Sequence, residues 1–288
     1  MKIPLFNLSL VDGYKSPSQK IRILSEDWVS REGYCPSCGR SIVRMQNNRP
    51  VLDFYCTYCL ENFELKSKKD KMATKIVDGA YKTMLDRLGS DTNPSLFLLN
   101  YQPQTWEIMN FVVIPKHFFI DDMIERRKPL KPTARRAGWV GCNILLDRVP
   151  QAGRIFIVRN KTVIPRKKVQ EAWNQTLFLR KETPEMKGWI LLTLKCIDAI
   201  QKPEFRLDEM YAFEENLKQE YPNNHHIKDK IRQQLQYLRD FGYLEFLGQG
   251  KYRKISKALT NTNIERRGDV CNQTLKRVLS KNLLLMTI

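Results

Sequence analysis

From residue 53 to residue 66 the chain reads Asp-Phe-Tyr-Cys-Thr-Tyr-Cys-Leu-Glu-Asn-Phe-Glu-Leu-Lys, an aspartate followed by a Cys-x-x-Cys pair and then a Glu-x-Lys triplet. Side chains on an extended chain alternate between faces, so Glu64 and Lys66 point one way and Leu65 points the other, into a core. A turn centred between Tyr58 and Cys59 pairs residues whose numbers sum to 117, which sets Asp53 opposite Glu64 on the same face. Two carboxylates and an ammonium gathered in this way suit hydrolysis of a phosphodiester with a divalent cation. Asp53 and Glu64 would hold Mg2+, a hard ion that takes oxygen ligands and keeps water for reaction. Lys66 would position or help deprotonate the attacking water and offset the charge that builds on the phosphate.

The triplet alone is a short pattern. It occurs again as Glu185-Met-Lys187 with no aspartate strand before it, and an ion pair on a surface strand would produce the same letters. Asp53 shifts the balance, because it interrupts the apolar run Val51-Leu52-Asp53-Phe54-Tyr55, and a carboxylate in such surroundings is costly unless paired or metal-bound.

The cysteines carry a second chemistry. Cys35-Pro-Ser-Cys38, seventeen residues, then Cys56-Thr-Tyr-Cys59 is zinc-ribbon spacing, four thiolates suited to a closed tetrahedral Zn2+ site. A redox pair would need one Cys-x-x-Cys, and two disulfides fit poorly with an intracellular chain. Zinc bound here would close the hairpin that carries Asp53 and Glu64 and fix its register. Cys142, Cys196 and Cys271 show no mutual spacing logic and read as buried or free thiols.

The elements that must position these groups fall into two domains. Lys and Arg number 49 against 31 Asp and Glu in 288 residues, a net charge of +18 that points to a polyanionic partner, nucleic acid first. No apolar run approaches the roughly 18 residues needed to span a bilayer, and the N-terminus lacks the apolar core of a signal peptide, so no membrane partner and a cytoplasmic location are expected. Ser16-Pro17-Ser18-Gln19 supplies an N-cap serine, proline at the first helical position and glutamine two residues later, and predicts a helix with Ile21, Leu24 and Trp28 facing inward. Residues 30–66 read as the zinc-braced strand region. The basic run from Lys66 to Lys71 follows as a solvated loop or a set of phosphate contacts. A helix over 77–88 and strands over 96–101, 110–115 and 154–159 complete a mixed α/β catalytic domain.

Residues 181–188 read as a linker, after which the pattern turns helical. Helices are expected over 186–200, with Ile190, Leu194 and Ile197 inward, and over 208–219, with Met210, Phe213 and Leu217 inward. A third, over 224–241, carries Ile227, Ile231, Leu235 and Leu238 on one side and Lys228, Lys230, Arg232, Gln233 and Gln236 on the others. Gly242 ends it, and residues 243–253 read as strand, glycine turn and basic strand with Lys251 and Arg253. Three helices and a basic hairpin describe a winged helix. Its third helix, through Lys228, Arg232 and Gln233, would reach base edges, and its wing would touch backbone. Such modules also bind proteins, so the fold alone does not establish DNA binding.

Several segments together resemble the methyl-directed restriction endonucleases of the DpnI family: Tyr14-Lys-Ser, Ile23-Leu-Ser-Glu-Asp-Trp28, Cys35-Pro-Ser-Cys38, Asn47-Asn-Arg-Pro-Val51, Asp53-Phe-Tyr-Cys56, Phe63-Glu-Leu-Lys-Ser-Lys68, Asp78-Gly-Ala-Tyr81, Pro132-Thr-Ala-Arg-Arg-Ala-Gly-Trp139 and Ile231-Arg-Gln-Gln-Leu235. The resemblance implies a PD-(D/E)xK catalytic domain with a four-cysteine zinc site over 1–182 and a winged-helix domain over 183–256. It implies cleavage of both strands of double-stranded DNA at GATC containing N6-methyladenine, with Mg2+, by a protein expected to act as a monomer, each domain able to recognise the methylated target. Asp53, Glu64 and Lys66 match the catalytic triplet, Leu65 would lend a backbone carbonyl to the cation, and Leu52 stands where the motif's name has proline. Cys35, Cys38, Cys56 and Cys59 match the zinc ligands. Trp139 matches a tryptophan that senses methylated adenines, although by itself it reads as an ordinary core or turn aromatic. Arg135 and Arg136 beside it are candidates for contact with DNA. The resemblance fades near Lys254, and residues 257–288 form an extension of unknown role, a short helix ending in Leu283–Met286 or a basic tail. Two other readings stay open: a non-catalytic zinc-ribbon and winged-helix regulator, and a nuclease directed at a different modified sequence.

Overall fold

The computed structural model describes residues 5–45, 52–70, 74–90 and 93–255. Outside them lie the matched segment 47–51, the end of the basic run at Lys71, Cys271 and the extension 257–288.

The first helix, α1, runs Pro17–Glu32 and buries Leu24, Trp28 and Val29, as its spacing predicts. Ser16 starts it by its carbonyl, which accepts from the Lys20 amide at 3.0 Å, while the serine hydroxyl bonds that of Ser18 instead of capping the helix. There follow strands β1 Val43–Arg44, β2 Phe54–Tyr55, β3 Asn62–Lys69 and β4 Lys75–Ala80, helix α2 Tyr81–Leu88, strands β5 Ser95–Tyr101, β6 Ile108–Ile114, β7 Ile124–Arg126, β8 Gly141–Leu145, β9 Ile155–Arg159 and β10 Thr162–Val163, and helix α3 Arg166–Thr176. Among the described residues these strands form a seven-stranded sheet, β1-β2-β3-β5-β6-β9-β10, and a smaller sheet, β4-β8-β7.

Two expectations change here. The helix expected over 77–88 begins only at Tyr81, because residues 75–80 pair antiparallel with β8, and Ile76, Val77 and Gly79 are poor helix formers that such pairing easily wins over. The basic run is no loop, since Lys66, Ser67, Lys68 and Lys69 continue β3 alongside β5.

Strand β5 is buried along its whole length, which explains its run of apolar residues: both faces of the large sheet are covered. Phe97, Leu99, Phe111 and Val113 face a core that includes Trp28 of α1, Trp173 of α3 and the zinc-type cysteines Cys35 and Cys56. Leu96, Leu98, Val112 and Ile114 face the opposite way, into a core shared with Ile76, Ile144 and the apolar side of the C-terminal helices. Phe63 of β3 stacks on Phe97 of β5 with ring centroids 4.4 Å apart. Burying each such ring is worth about 1.5–3 kcal/mol, so the strand carrying the Glu-x-Lys triplet is anchored from its inward face.

The C-terminal part consists of α4 Pro184–Ala199, β11 Glu204–Arg206, α5 Leu207–Tyr211, α6 Glu214–Glu220, α7 Ile227–Asp240, β12 Leu244–Gly248 and β13 Lys251–Lys254. It is a helical domain with a three-stranded sheet in the order β11-β13-β12. The linker expected over 181–188 contracts, because Thr183 caps α4 by accepting from the Met186 amide at 3.2 Å and Pro184 occupies its first turn. The helix expected over 208–219 breaks at Ala212 and Phe213 into α5 and α6, a bend that lets Met210 and Leu217 both be buried. Helix α7 starts at Ile227 instead of 224, because the Asn224 side chain accepts from the His226 amide at 2.8 Å and holds a turn there. No helix among the described residues is long and apolar enough to cross a membrane.

Candidate active site and zinc centre

The β2–β3 hairpin has the register read from the sequence: Phe54 pairs with Phe63 and Tyr55 with Asn62. One residue further out the ladder gives way to a side-chain contact. The Asp53 amide donates to the Phe63 carbonyl at 3.1 Å, and its carboxylate reaches across to accept from the Leu65 amide at 2.7 Å. In a strand a residue's N–H and C=O point to the same edge, so the Leu65 carbonyl also faces the side occupied by Asp53. Glu64 and Lys66 share the face of β3 opposite the Leu65 side chain, with Lys66 Nζ 2.5 Å from Glu64 Oε1.

Two carboxylates that the sequence does not single out join them. Asp78 on β4 accepts from Lys66 Nζ at 2.8 Å. It falls in the stretch 77–88 that reads as helix, which hides its pairing with β8 more than sixty residues away. Glu26 on α1 is buried and held by Arg22 Nε at 2.7 Å and by Arg44. Asp53, Glu64, Lys66 and Glu26 line one cleft of about 430 Å³ together with Arg22 and Lys68.

The cleft's electrostatics follow from burial in the company of like charges. Burial pushes the Glu64 carboxyl up to about 7; Lys66 opposes this, and the charges of Asp78 and Asp53 reinforce it. Burial also raises Asp53, with the Leu65 amide opposing and Glu26 adding. For Lys66 burial alone would lower the ammonium's pKa, but Glu64 and Asp78 outweigh it and hold it above the ordinary lysine value. Carboxylates that are hard to ionise side by side are the donor set that a divalent cation satisfies, so Asp53, Glu64 and the Leu65 carbonyl fit Mg2+.

The cysteines close the far end of the same hairpin. All four Sγ atoms lie within 4.8 Å of one another, with Cys35 and Cys59 at 3.4 Å and Cys38 and Cys56 at 3.5 Å. Zinc–sulfur bonds of about 2.3 Å in a tetrahedron need sulfurs slightly under 4 Å apart, so the cluster fits zinc. The two knuckles repeat one backbone plan. The Cys35 and Cys56 amides donate to Arg40 and Glu61, and their carbonyls accept from Gly39 and Leu60, which both have positive φ. Cys142 and Cys196 are buried elsewhere and take no part in the cluster.

The residues expected at DNA lie in three places. Arg135, Arg136 and Trp139 occupy the 127–140 loop between β7 and β8, closed by bonds between Leu130 and residues 138 and 139. The Arg136 guanidinium stands over the Trp139 ring at 4.8 Å. Because β8 pairs with β4, this loop is rooted beside Asp78. On α7, Gln233 is exposed at a cleft of about 890 Å³ lined also by Trp189, Tyr221 and His226. Lys228 pairs with Glu214 at 3.3 Å, and Arg232 pairs with Asp229 and donates to the Tyr211 hydroxyl at 2.7 Å. The basic strand β13 lies in the middle of its sheet, so Arg253 sits between Glu204 at 2.8 Å and Glu245 at 3.1 Å, and Lys251 meets Glu204 at 2.6 Å. The third strand, β11, carries the balancing Glu204 and is invisible in the sequence as part of the wing.

A family model described as DpnI, the Dam-replacing family, matches residues 1–182, and one described as the Dam-replacing HTH domain matches residues 185–254.

Proposed function

The chain belongs to the DpnI, or Dam-replacing, family, and from that premise we propose that it is a methyl-directed type II restriction endonuclease. It hydrolyses both strands of double-stranded DNA at GATC sites that carry N6-methyladenine, in a domain of the PD-(D/E)xK kind, with catalytic Mg2+ and structural Zn2+. The observation that carries this reading is the gathering of Asp53, Glu64 and Lys66 in one cleft on a single hairpin, with the Leu65 amide tied to the Asp53 carboxylate at 2.7 Å. A zinc-ribbon regulator would have no use for that costly cluster.

Asp53, Glu64 and the Leu65 carbonyl hold Mg2+, which when bound supplies Lewis-acid polarisation of the phosphate and a more acidic water. Lys66 keeps its proton and is therefore a donor, placed to orient the attacking water and to neutralise charge on the phosphate oxygens. Cys35, Cys38, Cys56 and Cys59 hold Zn2+ and keep the hairpin's two strands in register. Arg135, Arg136 and Trp139 approach the target from the loop beside β4, while Lys228, Arg232 and Gln233 on α7 and Lys251 and Arg253 on β13 serve the second domain. The ion pairs those residues make are exposed, and such pairs are worth at most about 1 kcal/mol, so phosphates can displace their partners cheaply.

Methyl recognition needs more than burial. One methyl group is worth about 0.8 kcal/mol, and two give roughly a fifteenfold preference. Stronger discrimination comes from penalising the unmethylated site, by an underfilled apolar pocket at Trp139 or by a misaligned cleft.

The test is Mg2+-dependent cleavage of matched GATC duplexes that are unmethylated, hemimethylated or fully N6-methylated, with Asp53→Ala as control. Cleavage of methylated duplex that disappears in the control is the expected result. Binding without cutting points to the regulator, and cutting of another modified sequence points to a different specificity.

A further inference from the structure

The geometry points to Asp78 as a positioning residue for the hydrolysis, one that would keep the Lys66 ammonium in place while Glu64 is engaged as a cation ligand. The inference rests on the nuclease reading and adds a residue to it.

Asp78 belongs to a different sheet from Lys66. It sits on β4, which pairs with β8 in the small sheet, while Lys66 sits on β3 in the large one. Their side chains meet across the gap between sheets, Nζ to Oδ1 at 2.8 Å, with the Asp78 side chain only 7% exposed. A carboxylate that deep needs a matched cation, and the half-buried Lys66 ammonium supplies it. Among the described residues, Lys66 forms ion pairs with Glu64 and with Asp78.

The two partners differ in what else they must do. Glu64 is a ligand for the cation, so its charge is shared once the cation is bound. Asp78 lies outside the Asp53, Glu64 and Leu65 donor set and keeps its whole charge for Lys66. A lysine carries three donors on a flexible four-carbon stem and does not orient itself. With one donor fixed on Asp78 the others are free to face phosphate and water. The backbone supports the same role. The β4–β8 register shifts between Asp78 and Ala80, a bulge at Gly79, and bulges beside active sites re-aim a neighbouring side chain. The Gly79 carbonyl takes the Cys142 thiol as its donor at 3.5 Å, which fixes the bulge against β8.

Asp78 touches Lys66 and not the reacting atoms, so its loss has a defined signature. The full-length, zinc-loaded Asp78→Asn protein is compared with wild type for cleavage of fully methylated duplex across a Mg2+ titration. Duplex binding and thermal melting are followed in parallel. The expected result is a kcat lower by about a hundredfold, the cost of a misplaced catalytic group, with KM, duplex affinity and the Mg2+ concentration for half-maximal rate all within about twofold of wild type. A raised Mg2+ requirement, with activity restored by excess Mg2+, makes Asp78 a cation ligand and overturns the inference. Parallel loss of melting temperature, duplex binding and rate makes it a structural residue and also overturns it. Should Asp78→Asn not fold, Asp78→Glu keeps the charge and moves the carboxylate by one methylene; the same selective fall in kcat is expected. A wild-type chain that cuts no duplex removes the nuclease reading and this one with it, whereas equal cutting by wild type and Asp78→Asn removes this one alone.

Discussion

The Trp139 indole rests on Gly141 so closely that a Cβ at position 141 would stand 2.8 Å from two of its ring atoms. Glycine at the start of β8 is therefore what lets the ring lie against the sheet that carries Asp78. Gly141→Ala should displace the ring and lower cleavage of methylated GATC by tenfold or more, about the worth of one lost aromatic contact. Trp139→Ala should do the same. In both, binding to nonspecific duplex should change far less than cleavage, which filter binding beside a cleavage assay would measure. Equal losses in binding and cleavage would count against a role for Trp139 in reading the methyl groups.

The hairpin that carries the candidate site was legible in the sequence because local rules fix it. The Cys56–Cys59 knuckle sets the turn length, the turn sets the register, and the period of two then sets Asp53, Glu64 and Lys66. The four cysteines were legible for the same reason, and the helices α1, α4 and α7 because their apolar residues recur at helical spacing. What was hidden depends on pairing between distant segments. Asp78 reaches Lys66 only because β4 finds β8, and Glu26 comes from a helix whose buried face gives no hint that a carboxylate on it will meet Arg44. The neutralised wing was hidden likewise, since Glu204 faces Arg253 only once β11 joins β13.

The two Cys-x-x-Cys knuckles make a prediction about backbone strain. Gly39 and Leu60 occupy equivalent positions with φ of 75° and 61°. Leucine is 76% exposed there, so its side chain gains little packing to offset the left-handed backbone. Leu60→Gly should stabilise the zinc-loaded protein by up to about 1 kcal/mol, the strain relieved less the added chain entropy. Gly39→Ala should destabilise it, since its Cβ would meet Gln170 at 3.0 Å in addition to the strained φ. Urea unfolding of both variants would check this, and a lower midpoint for Leu60→Gly would contradict it.

His117 predicts how stability depends on pH. Its Nε2 lies 2.8 Å from the Thr176 hydroxyl, which itself donates to the Trp173 carbonyl at 2.7 Å, so His117 Nε2–H is the donor and Nδ1 has no partner among the described residues. Burial, with Arg180, Lys187 and Lys116 adding, pushes the ring down to about 3. The unfolded chain then binds a proton near pH 6.5 that the folded chain refuses. His117 therefore costs nothing above about pH 6.5, and stability falls as pH drops below it toward 3, by at most about 1.4 kcal/mol per pH unit. Denaturant titrations at a series of pH values should show this slope in wild type and a shallower one in His117→Gln. The same slope in both would assign the acid sensitivity to other groups.

Glu64 gives the opposite sign, and with it a test of where the cation sits. Its carboxyl is pushed up to about 7 from an ordinary 4.5, so the folded, metal-free protein disfavours the charged form. Its ionisation therefore costs the fold progressively more as pH rises from about 4.5 to 7, and the full cost is present above that. Mg2+ bound to Glu64 must displace the same proton, so apparent Mg2+ affinity should rise about tenfold per pH unit up to about 7 and then level off. Melting temperatures with and without Mg2+, taken between about pH 5.5 and 8, read this without any DNA or turnover. The Mg2+-dependent gain in melting temperature should grow through that window and be absent in Glu64→Gln. A gain that does not vary with pH, or that survives in Glu64→Gln, would put the cation on other ligands.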